Sequence, residues 1–318
     1  MTKLALLFPG QGSQAIGMGI ALADKFAEAR TAFDQASQVL DWDLLQACKE
    51  GPEDRLRQTD VAQPALYVTG YAAFSVLRSL GITPDATAGH SIGEYAALAA
   101  AGVFGFTEGL DLVRERGRLM QAAGQEHPGG MAAILGMSRE ALQALCDEIQ
   151  ASNGVCVPVN FNSPEQIVVA GEKKAIDALV SAAPAKGAKR VIALNVSGAF
   201  HSSLMKEAAV HMKQRLSRVT FQNASCPVFM NVDGQGRQEA SAIQTALSQQ
   251  MDHSVEWVRT IEAMKAAGCA TFVECGSGRV LSGLLRRIDK QLQAYSTETP
   301  EAVEEVRNAL AAIGKGKI

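Results

Sequence analysis

The stretch "ATAGHSIGEYAALAAAG", residues 86–102, decides the fold of this 318-residue chain. Its short apolar start (86–89) predicts a strand, and its alanine-rich end predicts a helix. Between them, "GHSIG" fits G-x-S-x-G, the pattern of a serine raised on a sharp turn from strand to helix. Because the helix N-terminus directs free backbone N–H groups at the same place, Ser91 is a candidate nucleophile. The alternative is a serine that only caps the helix.

Strand-like and helical segments alternate on both sides of this turn. Residues 4–8 predict a strand, and residues 20–40 and about 62–80 predict helices. This alternation predicts an α/β domain with a mainly parallel sheet, of the α/β-hydrolase-like kind that carries such a serine turn. Further along, the sequence predicts a helix at 204–218, strands near 228–232 and 271–275, a last helix at 301–313 and a frayed end, "GKGKI".

The pattern changes between residues 128 and 196. There "GGMAAILGM" reads as a strand, "SREALQALCDEIQ" as a helix capped by Ser138, and "VCVPVNFNS" and "EQIVVAGE" as two strands. The helix "KKAIDALVSAAP" and the strand "KRVIALNV" complete the order βαββαβ, which is typical of a ferredoxin-like domain. We therefore predict a discontinuous large domain (1–127 and 197–318) that holds a small inserted domain (128–196).

The composition excludes several classes of protein. The net charge of −3 and the 5% of aromatic residues argue against a nucleic-acid binder. The six cysteines contain no CxxC pair, which favours neither a zinc site nor a disulfide scaffold. The apolar N-terminal stretch is too short for a signal peptide, and no window is apolar enough to span a membrane. We expect a soluble, cytoplasmic protein.

A serine nucleophile needs a base, and the chain has five histidines. His90 adjoins Ser91 and should point away from it. His201, in "NVSGAFHSS", lies where the small domain returns to the large one, and clefts form at such junctions. It is the candidate base, and the alternative is a histidine that caps the next helix. The remaining histidines lie in less suitable segments; they are His127, His211 and His253.

The helix after the serine turn contains "EGLDLVRERGRLM" with three arginines. At about 100° per residue, Arg114 and Arg118 fall on its polar side, whereas Arg116 falls on its apolar side. A buried arginine needs a partner, because an unpaired interior charge is very costly. Either a distant carboxylate pairs with Arg116, or Arg116 binds a carboxylate of the substrate.

The opening stretch "LALLFPGQGSQ", residues 4–14, resembles a dinucleotide loop only superficially. Its third glycine comes too late for G-x-G-x-x-G, and no acidic residue ends a second strand about 20 residues further on. We reject the dinucleotide interpretation. An amide of this turn is better suited to hold an oxyanion, and Gln11 is its best-placed side chain.

Taken together, the motifs resemble those of malonyl-CoA:acyl carrier protein transacylases, including the acyltransferase units of polyketide synthesis. The resemblance runs essentially from end to end. It includes "FPGQGSQ", "QPAL", "GHSIGEYAAL", "RERGRLM", "GGMAAILG", "VNFNSPEQIVVAG", "VSGAFHSSLM" and "ECGSGRVL". Two positions depart from the family: Ser254 stands where a proline is common, and "GSG" (276–278) replaces a usual Gly-Pro-Gly.

The resemblance implies a role for individual residues. Ser91 would accept the acyl group, His201 would be its base, and Arg116 would bind the free carboxylate of the malonyl group. The remaining implied roles concern the oxyanion, the base and the acyl pocket. The backbone N–H groups of Gln11 and Ile92 would form the oxyanion hole, Gln250 would orient His201, and Phe200 would favour malonyl over branched units.

The implied reaction carries malonyl from malonyl-CoA to the phosphopantetheine thiol of acyl carrier protein, for fatty-acid synthesis. It needs no cofactor or metal, and a monomer is expected. The alternatives are a freestanding polyketide acyltransferase, an acyl-thioester hydrolase, against which Arg116 argues, and a non-catalytic docking module. For the acidic carrier protein, the candidate basic surfaces are Lys173, Lys174 and residues 186–190.

Overall fold

The computed structural model describes residues 3–312. The strands in this range are β1 (Lys3–Phe8), β2 (Ala86–Gly89), β3 (Gly129–Leu135), β4 (Cys156–Ser163), β5 (Gln166–Glu172), β6 (Arg190–Leu194), β7 (Val228–Phe229), β8 (Gly236–Arg237), β9 (Cys269–Glu274) and β10 (Gln293–Ser296).

The helices before residue 140 are α1 (Ile20–Lys25), α2 (Ala27–Leu40), α3 (Leu44–Glu50), α4 (Glu53–Arg57), α5 (Thr59–Ser79), α6 (Gly93–Ala100) and α7 (Phe106–Glu126). Those after it are α8 (Arg139–Asn153), α9 (Lys173–Ala182), α10 (Lys206–Leu216), α11 (Ala240–Leu247), α12 (Trp257–Ala266), α13 (Val280–Ile288) and α14 (Pro300–Ala312). Short 3₁₀ helices span Ala183–Lys186 and Ser203–Met205.

A six-stranded sheet in the order β10-β9-β1-β2-β7-β8 forms the larger layer. Its first five strands are parallel, and β8 pairs antiparallel with β7. The central strand β1 is buried from Leu4 to Phe8, as expected for a strand covered by helices on both faces. The predicted α/β fold with a mainly parallel sheet is confirmed. Because parallel strands end at one edge, the turns that follow β1, β2 and β9 meet there.

A second sheet holds β4-β5-β3-β6, all antiparallel. Along the chain its elements run strand, helix, strand, strand, helix, strand. Helices α8 and α9 share a separate apolar core with one face of this sheet. Ser138 caps α8, as predicted, because its Oγ accepts a hydrogen bond from the N–H of Ala141 at 3.2 Å.

The segment 254–256 connects the layer of the six-stranded sheet to the second sheet. The Val255 N–H donates to the Val159 carbonyl at 2.7 Å, and the Val255 carbonyl accepts from the Phe161 N–H at 2.9 Å. Beside it, Arg139 donates two hydrogen bonds to the buried Glu256 carboxylate, at 2.9 and 3.0 Å. This segment therefore lies beside β4 and pairs with it through one isolated parallel bridge, between Val255 and Asn160.

The single helix predicted for residues 20–40 was wrong. Phe26 has φ −120° and ψ 125°, an extended conformation that ends α1 and begins α2. The buried side chains Leu22, Ala29 and Phe33 keep helical spacing across the break, so the apolar pattern contains no sign of it.

Later boundaries also differ from the prediction. The strand expected at 228–232 is only Val228–Phe229, because the chain then turns and the Gly234 N–H donates to the Met230 carbonyl. The last helix begins at Pro300; its predicted end at Ile313 and the "GKGKI" segment lie outside the described residues. Several elements were not predicted: helices α3, α4, α11, α12 and α13 and strands β8 and β10. Within residues 3–312, we find no helix long and apolar enough to cross a membrane.

Candidate active site

Ser91 lies on the turn that joins β2 to α6, at the carboxyl edge of the parallel sheet. Its φ of 51° is in the left-handed region, which side chains other than glycine seldom adopt. The flanking glycines permit the turn. A Cβ on Gly89 would lie 2.0 Å from the Gly93 carbonyl, and one on Gly93 would lie 2.1 Å from the Phe8 carbonyl oxygen. Both positions therefore require glycine.

His201 brings a base to this serine. Its Nε2 is 2.7 Å from Ser91 Oγ, and its Nδ1 is 2.9 Å from the Gln250 carbonyl and 3.1 Å from the His253 carbonyl. Because carbonyl oxygens only accept hydrogen bonds, Nδ1 carries the proton and Nε2 offers its lone pair to the serine hydroxyl. His201 also has a positive φ, 62°, so two of the three described non-glycine residues with left-handed backbone form this pair.

The surroundings of His201 keep it uncharged. Only 4% of the residue is exposed, and burial, followed by the nearby Arg116 charge, lowers its pKa from 6.5 to about 3. An imidazole with that pKa is neutral throughout the physiological range. It is therefore ready to accept the Ser91 proton without first losing one of its own.

Arg116 is fully buried on α7, as its place in the helical pattern predicted. Its Nη1 donates to Gln63 Oε1 at 2.8 Å; its Nη2 donates to Gln250 Oε1 at 2.9 Å and to Ser91 Oγ at 3.2 Å. Its Nε has no partner among the described residues. No described carboxylate forms an ion pair with this guanidinium, so its charge faces the serine without an anion in contact.

Arg114 and Arg118 lie on the exposed side of α7, as predicted. Arg114 pairs with Asp111, and Arg118 pairs with Glu115 at 2.7 Å. These two exposed arginines differ from Arg116 because each has an acid one turn away on its own helix.

Gln250 contacts His201 in the place of a triad's acid, as the resemblance implied, but through its backbone and not through its side chain. The group that contacts His201 is the Gln250 backbone carbonyl. Its side-chain amide instead donates to the Ser91 carbonyl at 2.7 Å and to Glu94 Oε2 at 3.1 Å, while its Oε1 accepts from Arg116. Gln250 therefore connects the serine turn, the arginine and a buried acid.

The two amides implied for an oxyanion hole lie in adjoining turns. Neither the Gln11 nor the Ile92 N–H donates to a residue that the structure describes. The Gln11 side chain donates to Thr59 Oγ1 at a long 3.4 Å. Gly10 packs closely on His90, since a Cβ there would lie 2.6 Å from the His90 carbonyl oxygen, and this brings the opening turn against the serine turn.

His90 points away from Ser91, as expected. Its Nε2 is 2.8 Å from Asn162 Oδ1 on the second sheet, and its ring meets Trp257 edge-on. Phe200 is buried directly before His201. Of the departures from the family, Ser254 donates to Glu256 at 3.2 Å, and the turn at 276–278 contains two glycines of positive φ, Gly276 and Gly278.

Sequence reasoning missed Asn231, Gln63 and Glu94. Asn231 accepts from the Ser91 N–H at 2.7 Å and donates to the Gly89 carbonyl at 2.6 Å, which stabilises the turn from inside. Gln63 stands in the "QPAL" motif as a polar residue within an apolar run, and that was an available signal. Asn231 has a weaker one, its position just beyond a strand of the parallel sheet.

Comparison with known proteins agrees with this geometry. The family model described as an acyl transferase domain matches residues 5–305. The chain is 41% identical to the malonyl CoA-acyl carrier protein transacylase of Bacillus subtilis, over 96% of both chains. It is 40% identical to the protein of the same name from Escherichia coli K12, over 95% of this chain and 98% of that one.

Solved structures give the same picture. The malonyl-transacylase PlMCAT, solved in complex with the type II PKS acyl-carrier protein AntF, superposes with a TM-score of 0.94 at 39% identity, covering 97% of this chain and all of that one. The malonyl CoA-acyl carrier protein transacylase of Coxiella burnetii gives a TM-score of 0.93 at 37% identity, over 96% of both chains.

Proposed function

We propose a reaction for this chain from one premise: the chain belongs to the acyl transferase family, and malonyl CoA-acyl carrier protein transacylases are its relatives over nearly their full length. It is an acyltransferase that carries the malonyl group of malonyl-CoA to the phosphopantetheine thiol of acyl carrier protein, through a malonyl ester on Ser91. The observation that carries this proposal is a serine–histidine pair beside a buried arginine whose hydrogen-bond partners in the described part of the chain are all uncharged.

The first half-reaction loads the serine. His201 Nε2 takes the Ser91 proton while Oγ attacks the thioester carbonyl carbon. The Gln11 and Ile92 N–H groups hold the oxyanion that forms on the former carbonyl oxygen. The carbon–sulfur bond then breaks, and coenzyme A leaves as a thiol with the proton held by His201. The malonyl carboxylate stays on Arg116, which can receive it bidentately.

The second half-reaction reverses these roles. The carrier protein's thiol gives its proton to His201 and attacks the ester carbonyl, and Ser91 Oγ recovers a proton as the ester bond breaks. The nucleophile, the base and the carboxylate-binding cation are all side chains of this chain, so we propose that the reaction needs no cofactor. Phe200, beside the acyl pocket, restricts branched acyl groups.

We also propose a finer description of the fold. The strand–turn–helix around Ser91 is a nucleophile elbow of the α/β-hydrolase-like kind, supported by its positive φ and its two obligatory glycines. The second sheet with α8 and α9 is a ferredoxin-like insertion at 128–196 within a domain formed by 1–127 and 197–318. The strand order β4-β5-β3-β6 supports this.

The setting of the reaction is also a proposal. We propose that it takes place in the cytoplasm, in fatty-acid synthesis; the six cysteines, which are free thiols in the structure, support a reducing compartment. We propose a monomer, since the residues of the mechanism all come from one chain. A polyketide carrier protein is the alternative acceptor, because a relative was solved with one.

Intact mass after mixing with malonyl-CoA tests the proposal. We expect one malonyl adduct on the wild-type chain and none on Ser91→Ala, and the adduct should move to holo acyl carrier protein faster than to water. Ser203→Ala, an exposed serine near His201, is the matched control and should load normally. Rapid release of free malonate without transfer would show a hydrolase, and neither adduct nor release would leave only a docking role.

Docking of the acidic carrier protein is predicted on α13 and its flanks. Arg279, Arg286, Arg287 and Lys290 are exposed there, and none forms an ion pair with a described residue. The turn before α13 lies against Pro9, next to the opening turn of the site. Of the earlier candidates, Lys173 and Lys186 are less suitable, because Lys173 pairs with Asp177 and Lys186 with Glu148.

Reversing two of these charges, Arg286→Glu with Arg287→Glu, is expected to slow transfer to the carrier protein by about tenfold and to weaken the salt dependence of transfer, because opposite charges steer association. The matched control is Lys173→Glu with Lys174→Glu. Transfer assays that are quenched at fixed times, at two salt concentrations, measure both the transfer rate and its salt dependence. If the two lysine substitutions slow transfer and the two arginine substitutions do not, the carrier protein docks at α9, beside the second sheet, and not at α13.

A further inference from the structure

Glu94 is a buried acid that the mechanism above does not use. It lies three residues after Ser91, on the first turn of α6, and only 1% of it is exposed. Its Oε2 accepts hydrogen bonds from the Asn231 N–H and from Gln250 Nε2, both at 3.1 Å. Its Oε1 has no partner among the described residues. An acid in this position is costly to keep ionised unless a cation compensates it.

The compensating cation is Arg116, and Gln250 joins the two. The Gln250 amide donates to Glu94 through Nε2 and accepts from Arg116 through Oε1, at 3.1 and 2.9 Å. Arg116 and Glu94 therefore lie on opposite sides of one buried amide group. The charge that binds the substrate and the charge of this acid are coupled across a site from which water is largely excluded.

Among the other charged and titratable groups that face Glu94, Arg237 also lowers the pKa of Glu94, by less than Arg116 does. Arg237, across the sheet on β8, lies within electrostatic range, but it makes a bidentate pair with Asp233 at 2.6 and 2.8 Å. Tyr95 is buried beside Glu94, and burial raises the pKa of its phenol, which keeps it neutral. Without substrate, one buried cation and one buried anion thus face each other.

The malonyl carboxylate brings a second anion to the same cation. Two carboxylates that share one guanidinium repel each other. In a buried site this repulsion raises the pKa of one of them, so that it holds a proton at a higher pH than an isolated carboxylate would. We propose that Glu94 takes up a proton from solvent when the malonyl carboxylate binds Arg116, so that the site keeps a single anion. This inference rests on the proposed function, since it requires malonyl to be the ligand of Arg116.

The acid is well placed for this change. Burial raises the pKa of Glu94 to about 7, against the lowering effects of two hydrogen bonds, from Gln250 and Asn231, and of two arginine charges, Arg116 and Arg237. A second anion would raise the pKa further. Uptake is therefore greatest at a pH between the free and the bound pKa; well below the free pKa, Glu94 already holds its proton and binding takes up none.

Calorimetry on Ser91→Ala, which binds malonyl-CoA without reacting, measures this uptake. Titrations in buffers of different ionisation enthalpy at about pH 7.5 should show net proton uptake with malonyl-CoA and none with acetyl-CoA, which lacks the second carboxylate. The malonyl-CoA affinity should weaken as the pH rises above about 7, by up to about tenfold per pH unit. Adding Glu94→Gln, the isosteric neutral variant, should abolish both the uptake and the pH dependence.

Infrared difference spectra of Ser91→Ala labelled with carboxyl-¹³C glutamate provide a second measurement that does not need the Glu94 variant to fold. Malonyl-CoA, but not acetyl-CoA, should produce the carbonyl band of a protonated glutamate. Binding without that band, without uptake, or with uptake that persists in Glu94→Gln would overturn the proposal. The proposed function would survive such a result, because it is tested separately by the malonyl adduct on wild-type Ser91 and by the transfer of that adduct to holo acyl carrier protein.

Discussion

Replacing Arg116 by alanine is expected to lower the rate of malonyl loading by about a hundredfold or more, while acetyl loading changes little. The guanidinium is fully buried, and no residue that the structure describes places an anion in contact with it, so a malonyl carboxylate would supply the charged partner that it lacks there. Removing one partner of a buried pair costs about 3–5 kcal/mol, which corresponds to more than a hundredfold in rate. Quenched-flow mass spectrometry of the adduct, with each acyl-CoA in turn, measures both rates.

Arg118→Ala is the matched control, because Arg118 lies on the same helix but is exposed and paired with Glu115. It should load malonyl at the wild-type rate. Arg116→Lys should be nearly as slow as Arg116→Ala, since an ammonium does not reproduce the planar fork that reaches Gln63 and Gln250 together. Equal losses of malonyl and acetyl loading in Arg116→Ala would show that Arg116 supports Ser91 and does not select the acyl group.

Replacing His201 by alanine is expected to slow acylation by about a thousandfold or more, because the Ser91 hydroxyl loses the base that it contacts. The wild-type rate at saturating malonyl-CoA should be nearly flat from about pH 8 to about pH 5. Burial lowers the pKa of His201 to about 3, so the base is neutral over this range. Protonation of His201 should therefore reduce the rate only when the pH falls close to 3. Single-turnover loading across this range measures the profile.

His211→Ala provides the control, because this histidine is exposed on α10 and does not contact Ser91. It should leave rate and profile unchanged. The pH profile of the rate is measured at saturating malonyl-CoA, because protonation of Glu94 changes the affinity for malonyl-CoA and would not alter a rate measured at saturation. A rate that falls with a midpoint near 6.5, the ordinary value for histidine, would contradict the description of His201 as a buried base without charge.

The sequence allowed prediction of those features that depend on local pattern. The parallel sheet follows from alternating segments, the Ser91 turn from two glycines at fixed spacing, and the burial of Arg116 from helical periodicity. The break at Phe26 escaped prediction because the apolar spacing continues through it. The short strand β10 escaped because its polar residues have no clear alternation.

The site contacts that sequence reasoning missed share a different cause. Asn231 and Gln250 reach Ser91 because of strand order and loop path, neither of which is encoded near the serine. The contact of Gln250 with His201 is made by a backbone carbonyl, and any residue type supplies one. Such a role has no signature in residue identity, so only the folded chain reveals it.

The bridge at Val255 affects how this enzyme can be recombined. The carbonyls that orient His201 belong to the segment that also pairs with β4 and, through Glu256, holds Arg139 of α8. A chimera that exchanges residues 128–196 with those of a relative would replace β4 and Arg139 but keep the original segment 254–256 that contacts them. Crossover points should therefore transplant 250–256 together with the inserted sheet, although these two segments are far apart in the chain.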